Sequence, residues 1–365
     1  MTPPIIRGYP LDAAAFLRYR TKPRNTKRCL GVHYPIVVEI VTFTGTVLAP
    51  ARGPILGSVV IPCLNAADVI GRTLDALKAQ SIASKLEVIV VDNGSSDDSV
   101  AIARDMGAHV LLSATRGSAA ARNLGVACGR ANLVLSLDAD CVPFDDLWAQ
   151  KHMELLTACP PEVLATAGKT VPFPHPDPWS QRTDVTPHPA WSPSGEPLYA
   201  VAGNACYRRA TLQSLGGFPP TAADDAALGM VARRRGFRFL WAPEARVLHS
   251  NPCGWSGYLQ QMTKVGYYAA ELTHPPRNRG STYISQCRRL LSASRPLLGG
   301  ELRESLSVVL KTIGQTRGAR HAWSEAKALE TAGAKWSARF RESGSAEAEA
   351  LGPDSSRRRF TPHER

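Results

Sequence analysis

From residue 57 onward, short apolar runs alternate with segments whose apolar side chains recur at helical spacing. The runs lie at residues 58–62, 86–91, 109–112 and 133–137. Uninterrupted apolar runs of this length are typical of strands covered on both faces, and strand–helix alternation with short loops builds βαβ units. The pattern therefore predicts a largely parallel sheet with helices packed against it.

The second half of the chain continues this alternation with weaker strand signals. A helix is predicted after Pro143 as far as about residue 158, and another over 226–235 stops at Gly236, which suits a C-terminal cap. Short strands are predicted at 164–168, at the start of 199–218, at 237–241 and at 246–248. Amphipathic spacing from Trp255 and across about 283–340 predicts a C-terminal helical extension. The expected class is α/β, with a Rossmann-like mixed, mostly parallel sheet flanked by helices.

Two stretches interrupt this pattern. Residues 1–56 lack periodicity, although the β-branched run at 36–47 could add an edge strand. Residues 171–197 contain eight prolines, which forbid a helix or a central strand. This segment is interpreted either as part of an acceptor-binding surface or as a disordered surface insertion. The predicted organisation is a basic extension at 1–56, a main domain at 57–280, a helical region at 281–341 and a disordered tail at 342–365.

The net charge of +12 is unevenly distributed along the chain. Residues 1–57 and residues 281–365 each carry +6, whereas residues 58–280 carry equal numbers of acidic and basic side chains. The basic flanks either contact an anionic membrane surface or are solvated extensions, and no nucleic-acid recognition motif accompanies them. No apolar run is long enough to span a membrane, and the eight scattered cysteines suit free thiols in a reducing compartment. These features predict a cytoplasmic protein, with peripheral contact at the inner membrane face as a further hypothesis.

Two aspartates follow the apolar run at 133–137. Asp138 and Asp140 are two positions apart, so their side chains project to the same side of an extended backbone. Ligands bind at the carboxyl ends of strands in open α/β sheets, and a hard divalent cation with oxygen ligands suits phosphates. The pair therefore indicates a metal-assisted diphosphate site, with an ordinary aspartate-rich loop as the alternative.

Other polar side chains also follow predicted strands, and each has a structural alternative. Asp92 could accept hydrogen bonds from a base or ribose, or could close an Asx turn. Arg116 and Arg122 could face a diphosphate, or could be ordinary surface arginines. The pair Asp224 and Asp225 could be an acidic active-site pair, or could merely complement a helix dipole. His249 could be a ligand, although a lone histidine is more often structural.

Six stretches match a known family in its order: 59–65, 88–97, 116–125, 137–140, 203–209 running on to Phe218, and 224–225. On these motifs, the chain from about residue 57 to 275 resembles the family 2 glycosyltransferases, which have the GT-A fold. The resemblance implies an inverting enzyme that moves a sugar from a nucleotide-diphosphate sugar to an acceptor hydroxyl on a glycan, a lipid-linked molecule or a small molecule. It does not extend to residues 1–56 or to residues 280–365.

The resemblance also implies roles for individual residues. Asp92 would bind the base and Asp138 the ribose, with Pro62, Asn65, Arg116, Arg122 and Asn204 completing the nucleotide-sugar site. Asp140 would coordinate Mg²⁺ or Mn²⁺, together with Asp138 and His249. Asp225 would be the catalytic base, supported by Asp224.

Three departures from the family pattern qualify these expectations. Position 224 is Asp where Glu is commoner, and position 116 is Arg where Asn is frequent. The Gln-x-x-Arg-Trp motif of processive relatives is missing, and residues 261–264 are the nearest run, so transfer of a single sugar is expected. Two rival functions remain: a nucleotidyltransferase, which usually needs a glycine-rich basic phosphate loop, and a catalytically silent nucleotide-sugar-binding protein.

Overall fold

The computed structural model describes residues 40–41, 54–182, 186–271 and 309–321. The chain divides into two compact units, residues 1–261 and residues 262–365. The first unit contains a nine-stranded sheet with helices on both faces. The tail predicted at 342–365 and most of the helical block predicted at 283–340 lie outside the described residues.

The strands are β1 Ile40–Val41, β2 Gly57–Cys63, β3 Leu86–Asp92, β4 His109–Ser113, β5 Leu133–Leu137, β6 Cys141–Pro143, β7 Val163–Pro172, β8 Asn204–Arg208 and β9 Arg238–His249. The helices are α1 Ile70–Lys78, α2 Ser99–Asp105, α3 Ser118–Cys128, α4 Trp148–Ala158, α5 Arg209–Ser214, α6 Asp224–Arg234, α7 Gly254–Glu271 and α8 at 309–321, with a 3₁₀ turn at Ala83–Lys85.

The sheet order is β1-β4-β3-β2-β5-β8-β7-β9-β6. Strands β2, β3, β4 and β5 are parallel to one another, whereas β8 runs antiparallel to both β5 and β7. The chain moves from β2 outward through β3 to β4, and then returns to place β5 on the other side of β2. Such a reversal opens a crevice at the carboxyl ends of the strands, which is where ligands bind in open α/β sheets.

Alternating side chains of the strands supply two separate apolar cores. Val59 and Ile61 face the layer formed by α1, α2 and α4, in which Trp148 is fully buried. Val60 faces the opposite layer, formed by α3, α5 and α6, in which Phe218 is buried. Because successive residues of a strand point to opposite faces, the continuous apolar runs seen in the sequence are what a sheet covered on both sides requires.

The predicted mixed, mostly parallel sheet flanked by helices is confirmed, with differences in detail. The two short strands expected at 237–241 and 246–248 form the single strand β9, which pairs with β7 through a register shift. Strand β6 was not predicted because three residues carry no usable period. The suggested edge strand is present as Ile40–Val41, paired antiparallel with β4.

In the second unit, α8 lies within the predicted helical block. A methyl group on Gly318 would collide with the backbone of Thr263, and one on Gly266 would collide with the backbone of Gln315. Glycine at both contacts lets the end of α7 and α8 approach closely. Within the described ranges, no helix has the length and apolarity needed to cross a membrane. The six cysteines that the structure describes are free thiols, as expected.

A glycine in α3 should be essential for the packing of that helix on the sheet. A methyl group on Gly125 would overlap the side chain of Val60, whereas a methyl group on Gly71 of α1 would meet only ordinary contacts at 3.8 and 4.0 Å. Gly125→Ala should therefore lower the free energy of unfolding by about 1–3 kcal/mol through overpacking. Gly71→Ala should raise it by up to about 1 kcal/mol through helix propensity. Urea unfolding of both variants measures the two effects, and equal shifts would contradict this packing.

Candidate active site

The candidate site lies at the carboxyl ends of β2, β3 and β5, in the crevice beside the reversal of strand order. Asp92 ends β3, and Asp138 and Asp140 follow β5. The amino-terminal end of α6 carries Asp224 and Asp225 and lies in the same region. Arg122 contacts both Asp224 and Asp138, which shows that the two carboxylates are close together. The sheet topology therefore gathers residues that are far apart in the sequence.

The Asp92 carboxylate forms hydrogen bonds within its own loop. It accepts hydrogen bonds from the backbone N–H of Gly94 at 3.0 Å and from that of Ser95 at 3.2 Å. This is the Asx-type turn that the sequence left open as the structural alternative. The side chain is buried, so any contact between Asp92 and a nucleotide base needs the remaining capacity of its two oxygens.

The other residues predicted at the nucleotide end lie around this loop. Asn65, at positive φ, accepts a hydrogen bond through Oδ1 from the Ser96 N–H at 2.8 Å and so ties the loops after β2 and β3 together. Pro62 lies within β2, two residues before the loop. Arg116 is exposed, and its guanidinium lies beside Gly94. Arg116 therefore remains accessible to an anionic ligand.

Arg122 is buried and holds two carboxylates. Its Nη1 donates to Asp224 Oδ2 at 2.5 Å, and its Nη2 donates to Asp138 Oδ1 at 2.6 Å. Burial alone lowers the pKa of Arg122, but the two carboxylates outweigh it, so the pKa lies above its ordinary value. Both ends of its guanidinium fork are occupied by carboxylates, and the contact of Arg122 with a diphosphate stays a prediction. Asp138 is therefore held in place by direct contact with Arg122.

Asp225 lies next to this ion pair and is half-buried. Its Oδ2 accepts a hydrogen bond from the Ala202 N–H at 3.3 Å, and its Oδ1 accepts one from the Ala226 N–H at 2.7 Å. Burial, and then the neighbouring charge of Asp224, raise the pKa of Asp225 to about 6. A carboxylate with that pKa is ionised at neutral pH and can still accept a proton.

A second group of side chains surrounds Asp140. His249 Nε2 lies 3.6 Å from Asp140 Oδ2, and the thiol of Cys141 is close to both. Burial, with Asp140 beside it, raises the pKa of the Cys141 thiol well above its ordinary value, so the sulfur stays protonated. A carboxylate oxygen and an imidazole nitrogen remain as donors, a pair that suits Mg²⁺ or Mn²⁺ with phosphate oxygens and water completing the shell. Asp138 is not part of this group.

Asn204 does not reach the crevice. Its Oδ1 accepts hydrogen bonds from Trp148 Nε1 at 2.8 Å and His152 Nε2 at 3.0 Å, and its Nδ2 donates to the backbone oxygens of Lys169 and Ala245. All four hydrogen-bonding positions of the amide are filled inside the protein. The side chain therefore crosslinks α4, β7 and β9, and the contact between Asn204 and the donor stays a prediction.

Several residues of the site were missed in the sequence. Ser118 Oγ lies 3.2 Å from Asp224 Oδ2, and Asn251 Oδ1 lies 2.8 Å from His249 Nδ1. Gly203 allows Asp138 to approach, because a methyl group there would lie 2.7 Å from Asp138 Oδ2. Ser118 and Gly203 lie within the matched stretches 116–125 and 203–209, whereas the signal for Asn251 is its place two residues after His249, since a ligating histidine normally has a hydrogen-bond partner on its other nitrogen.

Comparison with known families decides the class of protein. Residues 58–212 match the model of glycosyl transferase family 2, and residues 181–324 match that of glycosyl transferase family group 2. The two models together match residues 58–324, and this part of the chain belongs to the family 2 glycosyltransferases. These matches confirm the predicted family and the predicted enzyme class. The mixed, mostly parallel sheet described above is the sheet expected for the predicted fold class.

Individual relatives match over shorter stretches. Glycosyltransferase AglE of Haloferax volcanii is 33% identical over 127 residues, covering 33% of this chain and 40% of that protein. Chondroitin synthase of Escherichia coli is 36% identical over 105 residues, covering 27% and 15%. The O-antigen chain rhamnosyltransferase RfbN of Salmonella typhimurium is 26% identical over 216 residues, covering 53% and 66%. The matches therefore span less than half of the length of the first two relatives.

Among solved structures, a mannosyltransferase from Pyrobaculum calidifontis in complex with GDP-Man and Mn²⁺ superposes with a TM-score of 0.47. It is 19% identical, and the match covers 83% of this chain and 87% of that protein.

The buried arginine should dominate the stability of the site. Replacing Arg122 by Met leaves Asp138 and Asp224 without their shared cation, and such a loss typically costs about 3–5 kcal/mol of unfolding free energy. The exposed pair between Arg238 and Glu196 offers a matched control, and Arg238→Met should change stability little. Chemical unfolding of the two variants measures both effects, and a small loss in Arg122→Met would contradict the assigned role.

Proposed function

We propose that the protein transfers a single sugar from a nucleotide-diphosphate sugar to an acceptor hydroxyl, with inversion at the anomeric carbon, assistance from a divalent metal and Asp225 as the base. The observation that supports this proposal is the bridge from Arg122 to Asp138 and Asp224. It holds the helix that carries Asp225 against the strand end that carries Asp138 and Asp140. A base and a donor site therefore belong to one connected group of residues.

Asp140 and His249 would hold the metal. Their oxygen and nitrogen donors fit Mg²⁺ or Mn²⁺, and Asp140 is exposed enough to meet a ligand in the crevice, its side chain being 42% accessible. When bound, such a cation supplies Lewis-acid stabilisation of the negative charge that develops on a departing nucleoside diphosphate. Asp138, which is held by Arg122, would then face the ribose.

Asp225 would remove the proton of the acceptor hydroxyl as that oxygen attacks the anomeric carbon. General-base catalysis of this kind is typically worth about 10²–10⁴-fold in rate. The backbone N–H groups of Ala202 and Ala226 orient the carboxylate, and Asp224 raises its pKa while remaining paired with Arg122. Attack from the face opposite the leaving group gives inversion in one displacement.

The family membership favours this function over the two alternatives. A nucleotidyltransferase would need a basic, glycine-rich loop after β2, and the residues there are Leu64, Asn65 and Ala66. A catalytically silent binding protein would not need a carboxylate with a raised pKa at the position of Asp225. The relatives named chondroitin synthase and O-antigen chain rhamnosyltransferase support a glycan as the acceptor. Contact of the basic flanks with a membrane remains part of the proposal, and those flanks lie largely outside the described residues.

Removal of the proposed base should separate transfer from binding. Asp225→Asn keeps the shape of the side chain but cannot accept the proton, so we expect the transfer rate to fall by at least about 10²-fold. Nucleotide affinity should stay within a few-fold, as measured by calorimetry. Asp75→Asn, on the exposed side of α1, serves as the control. Loss of nucleotide binding in Asp225→Asn would instead assign that residue a structural role.

The pH dependence of transfer should report the environment of Asp225. Because the base must be ionised, kcat/KM should rise with pH through a midpoint near 6. Asp224→Asn removes a charge that raises the pKa of Asp225, so its midpoint should move to lower pH. A midpoint that is unchanged in Asp224→Asn would show that another group controls the profile.

The metal claim is testable by donor binding. In Asp140→Ala, the affinity for UDP or GDP should no longer increase when Mn²⁺ is added, because the carboxylate ligand is gone. Cys141→Ala should retain the increase, since its protonated thiol is not a ligand. Isothermal titration with and without Mn²⁺ measures both. Equal nucleotide affinity in the wild-type protein with and without metal would contradict the proposed metal assistance.

A further inference from the structure

Asn251 connects the candidate metal site to the proline-rich segment. Its Oδ1 lies 2.8 Å from His249 Nδ1. Its Nδ2 donates to the backbone oxygen of Ser180 at 2.9 Å and to Thr186 Oγ1 at 3.0 Å. The side chain is buried, and all of these contacts occur away from solvent. One amide therefore contacts both a candidate ligand and a segment some seventy residues earlier in the chain.

The hydrogen-bond partners determine which way the amide points. A backbone carbonyl can only accept, so the nitrogen of Asn251 must face Ser180, and its oxygen must face His249. An oxygen acceptor at this position requires a proton on His249 Nδ1. The lone pair of the neutral imidazole is then on Nε2, which is the nitrogen that lies 3.6 Å from Asp140.

We propose that Asn251 is a positioning residue that holds His249 in the tautomer and orientation needed to bind a divalent cation, and that it thereby couples the cation site to the segment at 173–182. This rests on the proposed metal site. Without Asn251, His249 could place its proton on either nitrogen and its ring would lose a fixed orientation. Partners of this kind typically change metal affinity by about 10- to 100-fold.

The coupling has a second physical link. The backbone N–H of Phe173 donates to the backbone oxygen of His249 at 2.9 Å, so the start of the same segment also pairs with the histidine. The position of the segment at 173–182 and the orientation of the His249 imidazole therefore depend on the same two sets of contacts. Coupling free energies are reciprocal, so a cation that binds His249 must stabilise the seated segment by as much as the seated segment strengthens cation binding.

Two substitutions separate the two halves of the amide. Asn251→Leu has nearly the same shape and removes both the acceptor for His249 and the donor for Ser180. Asn251→Asp keeps an oxygen acceptor for His249, but its carboxylate cannot donate to the carbonyl of Ser180. His249→Ala removes the proposed ligand itself. Circular dichroism of each full-length variant verifies that it has folded.

The affinity for Mn²⁺ alone is measured by electron paramagnetic resonance of the free ion. We expect Asn251→Leu to bind about 10- to 100-fold more weakly than the wild type, and Asn251→Asp to bind no more than about threefold more weakly. Wild-type affinity in Asn251→Leu, together with weakened binding in His249→Ala, would overturn this inference and leave the metal site intact. Wild-type affinity in His249→Ala would overturn the metal site itself.

Amide hydrogen exchange provides a readout that does not depend on activity. Both Asn251 variants should speed exchange in peptides covering 173–182, because both lose the hydrogen bond to Ser180. Saturating Mn²⁺ should slow exchange there in the wild-type protein and should do so less in Asn251→Leu. Exchange in this segment that does not respond to Mn²⁺ in the wild type would overturn the coupling, whatever the affinities.

Discussion

The buried guanidinium of Arg122 is the interaction on which the site depends. It lies on α3, which packs against β2 and β3, and it binds a carboxylate from the end of β5 and a carboxylate from the start of α6. The carboxylates of Asp224, which is buried, and Asp138, which is partly buried, would repel each other without a cation between them. Arg122 therefore makes it possible for Asp138 and Asp224 to lie side by side. A metal at the same position is not required for this purpose.

The negative charge that Arg122 does not neutralise contributes to the raised pKa of Asp225. Three carboxylates and one guanidinium leave the cluster with two excess negative charges when all are ionised. Asp138 and Asp224 have direct contacts with Arg122, whereas Asp225 has two backbone N–H donors and a charged neighbour. Burial, and then the charge of Asp224, raise the pKa of Asp225 to about 6. The arrangement that stabilises the pair also prepares the proposed base.

The sequence predicted the sheet well because its strands are buried on both faces and have uninterrupted apolar runs. It did not predict that 238–249 forms one strand, because Pro243 and Glu244 interrupt the pattern at the register shift with β7. The acidic positions were predicted to belong to one site, but a sequence pattern cannot say which partner a polar side chain contacts. Arg122 contacts the carboxylate of Asp224, and Asn204 contacts Trp148 and His152 in the core. These partners lie more than fifty positions away in the sequence, so no local pattern indicates them.

The same limit applies to the proline-rich segment. The composition indicated that it is neither helix nor central strand, yet the contact between Asn251 and Ser180 is a tertiary one without local signature. What could be inferred from sequence was the type of chemistry available at each strand end. The geometry then decides which groups are occupied by the fold and which, such as Asp140, Arg116 and Asp225, remain available to a ligand.

Direct titration of the Asp225 carboxyl carbon by ¹³C NMR tests the central claim, which is that the Arg122 cluster creates a base poised near neutral pH. The resonance is assigned as the aspartate signal that disappears in Asp225→Asn. We expect a midpoint near pH 6. A midpoint near the ordinary aspartate value of about 3.9 would contradict it, because the carboxylate would then be an ordinary solvated acid.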